Sequence, residues 1–240
     1  MEPTRIDHTP ATDASQRHRP TSPFRVVLTG GPGGGKTTAA DLFRREIGNK
    51  VIVVPEAATL LFSGGFPRPD RSEAQRSAQT AIYQVQRSLE DIQAAQYPER
   101  ILLCDRGTVD GGAYWPDGAP DFYDAVRSSH AAELSRYDAV IFFETAALGD
   151  HGFESENRYR TESQQQAIDL DAQLRVLWSP HPHFTVVPHS ASFFRKMTIG
   201  LGLLESLIAQ LPSLEHTCAD PTRQMVPGDE FDRQRKDTSP

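Results

Sequence analysis

A glycine-rich segment near the start of the chain has the residue types and spacing of a phosphate-binding loop. It satisfies the pattern GxxxxGK[ST] and runs directly into a helical pattern over residues 37–47. The glycines let successive backbone N–H groups face one concavity, Lys36 supplies a catalytic cation for the outer phosphates, and Thr37 offers a hydroxyl to Mg²⁺. A flexible glycine hinge is the alternative, but a predicted strand before the segment and a helix after it favour phosphate binding. We therefore expect a nucleoside triphosphate to bind nine consecutive residues: Gly30, Gly31, Pro32, Gly33, Gly34, Gly35, Lys36, Thr37 and Thr38.

A carboxylate and a guanidinium follow a later apolar run, residues 101–104. Asp105 is the type of residue that holds Mg²⁺, directly or through water, in phosphate-loop enzymes, although an aspartate at a strand end can also cap the next turn. Arg106 can bind a phosphate or a substrate carboxylate, and a structural ion pair is its alternative. No glutamate follows Asp105 to activate water, so the sequence disfavours hydrolysis without transfer.

A third chemical group, the carboxylate of Glu56, follows the apolar run of residues 51–54 and Pro55. A carboxylate beside the phosphate loop can accept the proton of an attacking substrate hydroxyl. A glutamate in the first turn of a helix is also stabilised by the helix dipole without any chemistry. Both interpretations of Glu56 stay open on the sequence alone.

Residues 108–118 combine aromatic and acidic side chains with glycines. Such a mixture suits a pocket for a ring-bearing acceptor, and Asp110 and Tyr114 are the candidates to bind it together with Glu56 and Arg106. A packed surface loop is the alternative interpretation of this segment.

Residues 149–162 form a polar stretch that carries Arg158 and Arg160. We expect these arginines in a mobile lid that closes over the triphosphate, neutralises charge on the transferred group and excludes water. A solvated, charged loop is the alternative.

The elements that must position these groups are short strands that alternate with helices. The clearest helix covers residues 72–95, with apolar residues every three or four positions, and its start is predicted at Asp70 or at Ser72 with Gln75. Strands and helices in alternation predict a doubly wound α/β sheet, whose ligands lie beyond the carboxyl ends of the strands. The apolar runs predict five buried parallel strands, at residues 24–28, 51–54, 101–104, 139–143 and 184–187.

The composition is that of one globular domain and excludes several classes of protein. With 38% hydrophobic residues among 240, a sizeable core is expected for a nucleotide-binding, kinase-like domain over residues 23–212, between disordered tails at 1–22 and 213–240. A net charge of −7 gives no electrostatic reason to bind nucleic acid. Two cysteines, and histidines without ligand spacing, predict no zinc site. No apolar stretch reaches the ~20 residues that span a bilayer, so we expect a cytoplasmic protein.

On these residues the chain resembles the AAA_28 family of P-loop domains, the NadR-like ATPase-domain group close to the nucleoside and nucleotide kinases. The likeness covers roughly residues 24–210. It implies a three-layer P-loop NTPase fold with a five-stranded sheet in the order 2-3-1-4-5, and Mg²⁺ with ATP or GTP. It also implies that Glu56, Asp105 and Arg106 stand where related nucleoside kinases keep their base, metal-associated acid and phosphate-binding arginine. The matching segments are residues 25–32, 54–58, 84–89, 105–107 with Asp110, and 136–138.

The site residues and the family resemblance are consistent with two classes of function. The first is an ATP- and Mg²⁺-dependent kinase that transfers the γ-phosphoryl group to a hydroxyl of a small molecule, with a nucleoside-like acceptor among the options. The second is a nucleotide-dependent binding or switch module with slow hydrolysis. No Asn-Lys-x-Asp sequence occurs, which disfavours a conventional GTP switch. The acceptor, the preferred purine and the oligomeric state, including a homodimer, stay open.

Overall fold

Five parallel strands form one sheet in the order β2-β3-β1-β4-β5. The computed structural model describes residues 23–149 and 163–210. The predicted α/β class, the five strands and their order are confirmed. The strands are β1 (Arg25–Thr29), β2 (Val51–Val54), β3 (Ile101–Asp105), β4 (Ala139–Phe143) and β5 (Phe184–Val187).

Helices follow each strand of the sheet. They are α1 (Lys36–Ile47), α2 (Ala57–Ser63), α3 (Ser72–Gln96), α4 (Ala119–Ala125), α5 (His130–Leu134), α6 (Gln164–Trp178) and α7 (Phe193–Ala209). Short 3₁₀ turns cover Gly48–Lys50, Thr108–Ala113 and Ala146–Leu148.

Helix α3 begins at Ser72, as its predicted range of residues 72–95 has it, but neither Asp70 nor Ser72 is its N-cap. Its N-cap is Arg71, whose side chain makes no capping hydrogen bond, and Ser72 is already the first helical residue. The carbonyl of Arg71 accepts the first helical bond from the backbone N–H of Gln75 at 2.8 Å. Because this end of the helix is exposed, water can satisfy the remaining N–H groups and no capping side chain is needed.

The hydrophobic core lies in two layers because successive strand residues face opposite sides of the sheet. Val26 and Leu28 of β1 pack with α1 and α7 on one face. Val27, between them, packs on the other face with Trp178 at the end of α6. Helices on both faces therefore pack against the central strand.

The carboxyl ends of the three central strands meet at one edge of the sheet. Leu28 of β1 pairs with Asp105 of β3, and Thr29 pairs with Phe142 of β4. Strand β3 runs one residue beyond its predicted end, and the backbone N–H of Arg106 still donates to the carbonyl of Leu28 at 3.0 Å. The glycine-rich segment after β1 thus begins between the ends of β3 and β4.

Several predicted segments lie outside the described residues. These are the two tails and the lid segment with Arg158 and Arg160. Among residues 23–149 and 163–210, no helix has both the length and the hydropathy needed to cross a bilayer.

Candidate functional site

The glycine-rich loop between β1 and α1 has a backbone that favours glycine at its key positions. Gly30 has φ +126°, and a Cβ atom on it would lie 2.1 Å from the backbone oxygen of Phe143. Gly35, just before α1, has φ +86°. A Cβ on Gly34 would also lie 2.8 Å from the Phe143 oxygen. The end of β4 therefore packs closely against the loop. A residue larger than glycine at these positions would distort the backbone of the loop.

Lys36, the first residue of α1, turns its side chain back over this loop. Its Nζ donates to the carbonyl oxygens of Gly30 at 2.8 Å and Gly31 at 2.7 Å, and the residue is 2% exposed. The loop therefore holds a buried ammonium group at the point where the dipole of α1 also favours negative charge. Such an arrangement can bind a polyphosphate anion.

A hydroxyl and a carboxylate meet beside the loop. Thr37 Oγ1 donates to Asp105 Oδ2 at 2.7 Å. Burial, followed by the negative charge of Glu56, raises the pKa of Asp105 to about 6, against the opposing effects of the Thr37 bond, Lys36 and Arg106. Both oxygen groups are ligand types that Mg²⁺ takes, usually with phosphate oxygens and water completing the coordination.

Arg106 joins the other predicted acceptor residues in one cluster. Its Nε lies 2.5 Å from Glu56 Oε1, and its Nη1 lies 2.8 Å from Asp110 Oδ2. The guanidinium carbon stands 5.6 Å from the ring centre of Tyr114. Arg106 also has φ +73°, a conformation that is uncommon outside glycine. The cluster thus forms directly beside Asp105.

Asp110 has protein partners on both of its carboxylate oxygens. Besides Arg106 on Oδ2, its Oδ1 accepts hydrogen bonds from Thr29 Oγ1 at 2.8 Å and Trp178 Nε1 at 2.6 Å. The residue is buried. In this arrangement Asp110 fixes the guanidinium of Arg106, and Tyr114 is the more exposed member of the predicted acceptor pair.

Glu56 stands just before helix α2, but its side chain makes no capping bond to the helix. One carboxylate oxygen faces Arg106, and the other accepts a hydrogen bond from Thr59 Oγ1 at 2.5 Å. Gln86 of α3 holds the neighbouring backbone, because its Oε1 accepts from the N–H of Ala57 at 3.1 Å. These bonds direct the carboxylate toward the cluster around Arg106.

These side chains line a cavity of about 320 Å³ between α2, α3 and the segment after β3. Its volume is at the lower end of the ~300–1,000 Å³ typical of small-molecule sites. Four of the predicted site residues line it: Glu56, Arg106, Asp110 and Tyr114. Other lining residues are Thr59, Phe62, Arg68, Gln75, Gln79, Ile82, Tyr83 and Gln86.

Two residues that hydrogen-bond to the phosphate loop escaped the sequence analysis because their contacts are distant along the chain. Asp171 of α6 accepts, through Oδ1, the backbone N–H of Gly31 at 2.8 Å and of Thr145 at 2.9 Å. Thr145 in turn donates from Oγ1 to the carbonyl of Pro32 at 2.5 Å. Asp171 and Thr145 therefore clamp the phosphate loop from the side of β4 and α6. An isolated aspartate within a helical pattern gave no signal for this role.

Few of the described residues are arranged to bind a metal ion. Within the described ranges, no group of three or more His, Cys, Asp or Glu side chains is arranged to hold an ion. The Thr37 and Asp105 pair is therefore the candidate for a cation that is shared with phosphate oxygens. Of the predicted site residues, Arg158 and Arg160 lie outside the described residues.

Comparison with solved structures identifies the fold. A structure of NadR in complex with NAD and AMP-PNP shares 14% identity at a TM-score of 0.51, over 77% of this chain and 49% of that one. A structure of NadR in complex with NR shares 13% identity at a TM-score of 0.59, over 77% of this chain and 51% of that one. This chain therefore spans about half the length of those NadR chains. No curated protein sequence matches it significantly.

Comparison with protein-family models is more specific. The model of AAA_28, described as an AAA domain, matches residues 25–196, well over half of the 240 residues. The match includes the loop after β1, the ends of strands β2 to β5, and Asp171 on α6. On this evidence the chain belongs to the AAA_28 family of P-loop domains.

Proposed function

We propose that this protein is an ATP- and Mg²⁺-dependent kinase that transfers the γ-phosphoryl group to a hydroxyl of a small molecule. The observation that carries the proposal is the end of β3, where two adjacent residues serve two adjacent sites. Asp105 bonds to Thr37 at the phosphate loop, and Arg106 bonds to Glu56 in the cavity. A donor phosphate and an acceptor hydroxyl can therefore meet at this point.

On the donor side, the phosphate loop and Lys36 would bind the triphosphate. The buried ammonium of Lys36 already contacts two loop carbonyls, and the nearby backbone curve is fixed by Gly30 and Gly35. Thr37 and Asp105 fit Mg²⁺, since a hydroxyl oxygen and a carboxylate oxygen lie within 2.7 Å of each other. When bound there, the cation would offset negative charge on the outer phosphates. These contacts involve only the phosphates and the cation, so they serve ATP and GTP alike.

On the acceptor side, Glu56 would take the proton of the attacking hydroxyl. In the transfer, the acceptor oxygen forms a bond to the γ-phosphorus, the bond from that phosphorus to the bridging oxygen breaks, and the nucleoside diphosphate leaves. The carboxylate of Glu56 holds the released proton. Arg106, fixed by Asp110, would stabilise negative charge on the transferred group. Arg158 and Arg160 would add to this stabilisation from the lid.

The cavity supports a small acceptor with both a ring and polar groups. Aromatic and apolar side chains such as Phe62, Ile82 and Tyr114 line it together with the amide of Gln79. A nucleoside-like molecule combines a planar ring with several hydroxyls and matches this lining in chemistry. Transfer to such an acceptor is favoured over hydrolysis, because Glu56 faces the cavity and Asp105 has no acidic neighbour in sequence.

The direct test is a screen for acceptor-dependent ADP release from Mg-ATP across hydroxyl-bearing metabolites, including nucleosides. We expect at least one compound to accelerate ADP release in the wild-type protein and to have no effect on Lys36→Ala. A wild-type protein that binds Mg-ATP but releases ADP at one slow rate, whatever the added compound, would refute the kinase. That result would instead support the nucleotide-dependent binding module.

A further inference from the structure

Two large aromatic side chains at the start of α7 are exposed to solvent. Phe193 is 53% exposed and Phe194 is 80% exposed. Within the described part of the chain, neither belongs to a hydrophobic core cluster, although later residues of α7 such as Met197 and Leu204 do.

Phe193 lies beside Gly35 of the phosphate loop. A Cβ atom placed on Gly35 would stand 3.2 Å from Cε2 of Phe193 and 3.3 Å from Cε of Met197. Gly35 directly precedes Lys36, so the ring of Phe193 lies beside the loop at the point where α1 begins. Ser192 caps α7 by accepting the backbone N–H of Arg195 at 3.3 Å, and this bond fixes where the helix begins.

The topology of the sheet indicates what approaches this ring. The acceptor cavity lies on the β2 and β3 side of the phosphate loop, at α2, α3 and the segment after β3. Phe193 follows β5, on the opposite side of the loop. A nucleotide whose terminal phosphate points at the cavity must extend its sugar and base away from it. The half of the sheet edge that carries β4, β5 and α7 is the direction left for the base.

We propose that the ring of Phe193 is the platform on which the base of the bound nucleotide stacks. This inference rests on the proposed function, because it takes the triphosphate to lie in the loop before Lys36. The half-exposed ring offers a π-face next to Gly35 at the edge of the phosphate site. Stacking on an aromatic ring tolerates any base, so ATP and GTP should gain from Phe193 alike.

The test compares two ligands that differ only in having a nucleoside. Calorimetry would measure the affinities of Mg-ATP and Mg-tripolyphosphate for the wild-type protein and for Phe193→Ala, with Phe194→Ala as the matched control. We expect Phe193→Ala to weaken Mg-ATP binding roughly tenfold to a hundredfold, and Mg-tripolyphosphate binding by less than about twofold. Phe194→Ala should bind both ligands as the wild-type protein does.

Two further variants separate stacking from support of the loop. Phe193→Trp keeps a π-face, so it should retain Mg-ATP affinity. Relative to the wild-type protein, which already contains Trp115 and Trp178, the variant should show an additional fluorescence change with Mg-ATP but not with tripolyphosphate. Phe193→Leu keeps an apolar contact with Gly35 and should lose Mg-ATP affinity as Phe193→Ala does.

Three outcomes would overturn the inference, and they are distinguishable. Wild-type affinity of Phe193→Ala for Mg-ATP would refute stacking and leave the proposed kinase intact. If Phe193→Ala weakened both ligands equally and Phe193→Leu restored both, the ring would only support the loop. If the wild-type protein bound neither ligand, the proposed function itself would fail, and the inference with it.

Discussion

The phosphate loop and the acceptor cavity adjoin at the end of β3, but backbone groups of one segment form the loop, whereas side chains from several elements form the cavity. The loop is one stretch of nine residues, and its conformation depends on the positive φ angles of Gly30 and Gly35. The cavity is assembled from α2, α3 and the segment after β3, and its polar wall depends on the ion pairs of Arg106 with Glu56 and Asp110.

This difference predicts that the loop binds polyphosphates in general, whereas the cavity selects the acceptor. Backbone N–H groups and a lysine recognise a polyphosphate irrespective of what it is attached to. The side chains of the cavity come from three elements that can change independently, so they are suited to selecting one acceptor. Changes in the loop should therefore affect nucleotide binding and folding together, whereas changes in the cavity should affect transfer alone.

The largest effect on turnover should come from a substitution in the cavity, and that substitution should leave nucleotide affinity unchanged. We expect Glu56→Gln to lower acceptor-dependent turnover by about 10²–10⁴-fold, because the amide cannot accept the proton of the acceptor hydroxyl. Steady-state kinetics would measure turnover, and calorimetry would measure Mg-ATP affinity. Glu99→Gln, an exposed change elsewhere, serves as the control. Unchanged turnover in Glu56→Gln would leave Glu56 as a structural partner of Arg106.

The next largest effect should come from the loop, and it should extend from turnover to polyphosphate binding. We expect Lys36→Ala to lower turnover by about 10²–10³-fold, since a preorganised cation that stabilises the transferred charge is lost. Its affinity for Mg-tripolyphosphate should fall as well, in contrast to Glu56→Gln. Lys50→Ala, after α1, is the control and should behave as the wild-type protein does. Equal tripolyphosphate affinity in Lys36→Ala and wild type would contradict the assignment.

A change in the loop backbone should destabilise the fold itself. Gly30→Ala would place a Cβ 2.1 Å from the Phe143 oxygen at φ +126°, so we expect the free energy of unfolding to fall by more than about 2 kcal/mol. Gly202→Ala on α7 is the matched control, since no atom lies within 4 Å of its new Cβ. That control should gain about 0.5–1 kcal/mol from helix propensity. Chemical denaturation measures both, and equal stabilities would show that the loop tolerates side chains.

The smallest effect is expected for Asp171 of α6, whose carboxylate holds the loop. Asp171→Ala would leave the N–H groups of Gly31 and Thr145 without their acceptor, so we expect a loss of about 1–3 kcal/mol in the free energy of unfolding. Asp171→Asn keeps an acceptor oxygen and should lose less. Asp169→Ala, an exposed change on the same helix, should be close to neutral. A neutral Asp171→Ala would mean that the loop holds its shape without α6.

The same contrast explains what the sequence could predict. The loop is contiguous, and Asp105 and Arg106 directly follow an apolar run, so local patterns were enough to find them. The sheet order followed from the resemblance to P-loop domains and is confirmed. The catalytic and binding roles of Glu56, Asp105 and Arg106 stay predictions.

The remaining features depend on contacts that local patterns do not encode. Asp171 reaches Gly31 across 140 positions, and Gln86 reaches Ala57 from the middle of a helix. Asp110 was predicted from a mixed polar and aromatic segment, but its three internal partners come from β1, α6 and the end of β3. Only the packed fold shows that its carboxylate is engaged by these groups.

The most direct test of the account follows a labelled γ-phosphoryl group from Mg-ATP in the presence of a pool of hydroxyl-bearing metabolites. A kinase whose donor loop and acceptor cavity meet at β3 predicts that the label appears on an organic molecule, and that this product is lost in Glu56→Gln although the variant still binds Mg-ATP. Recovery of the label as inorganic phosphate alone, at equal rates in wild type and Glu56→Gln, would contradict it.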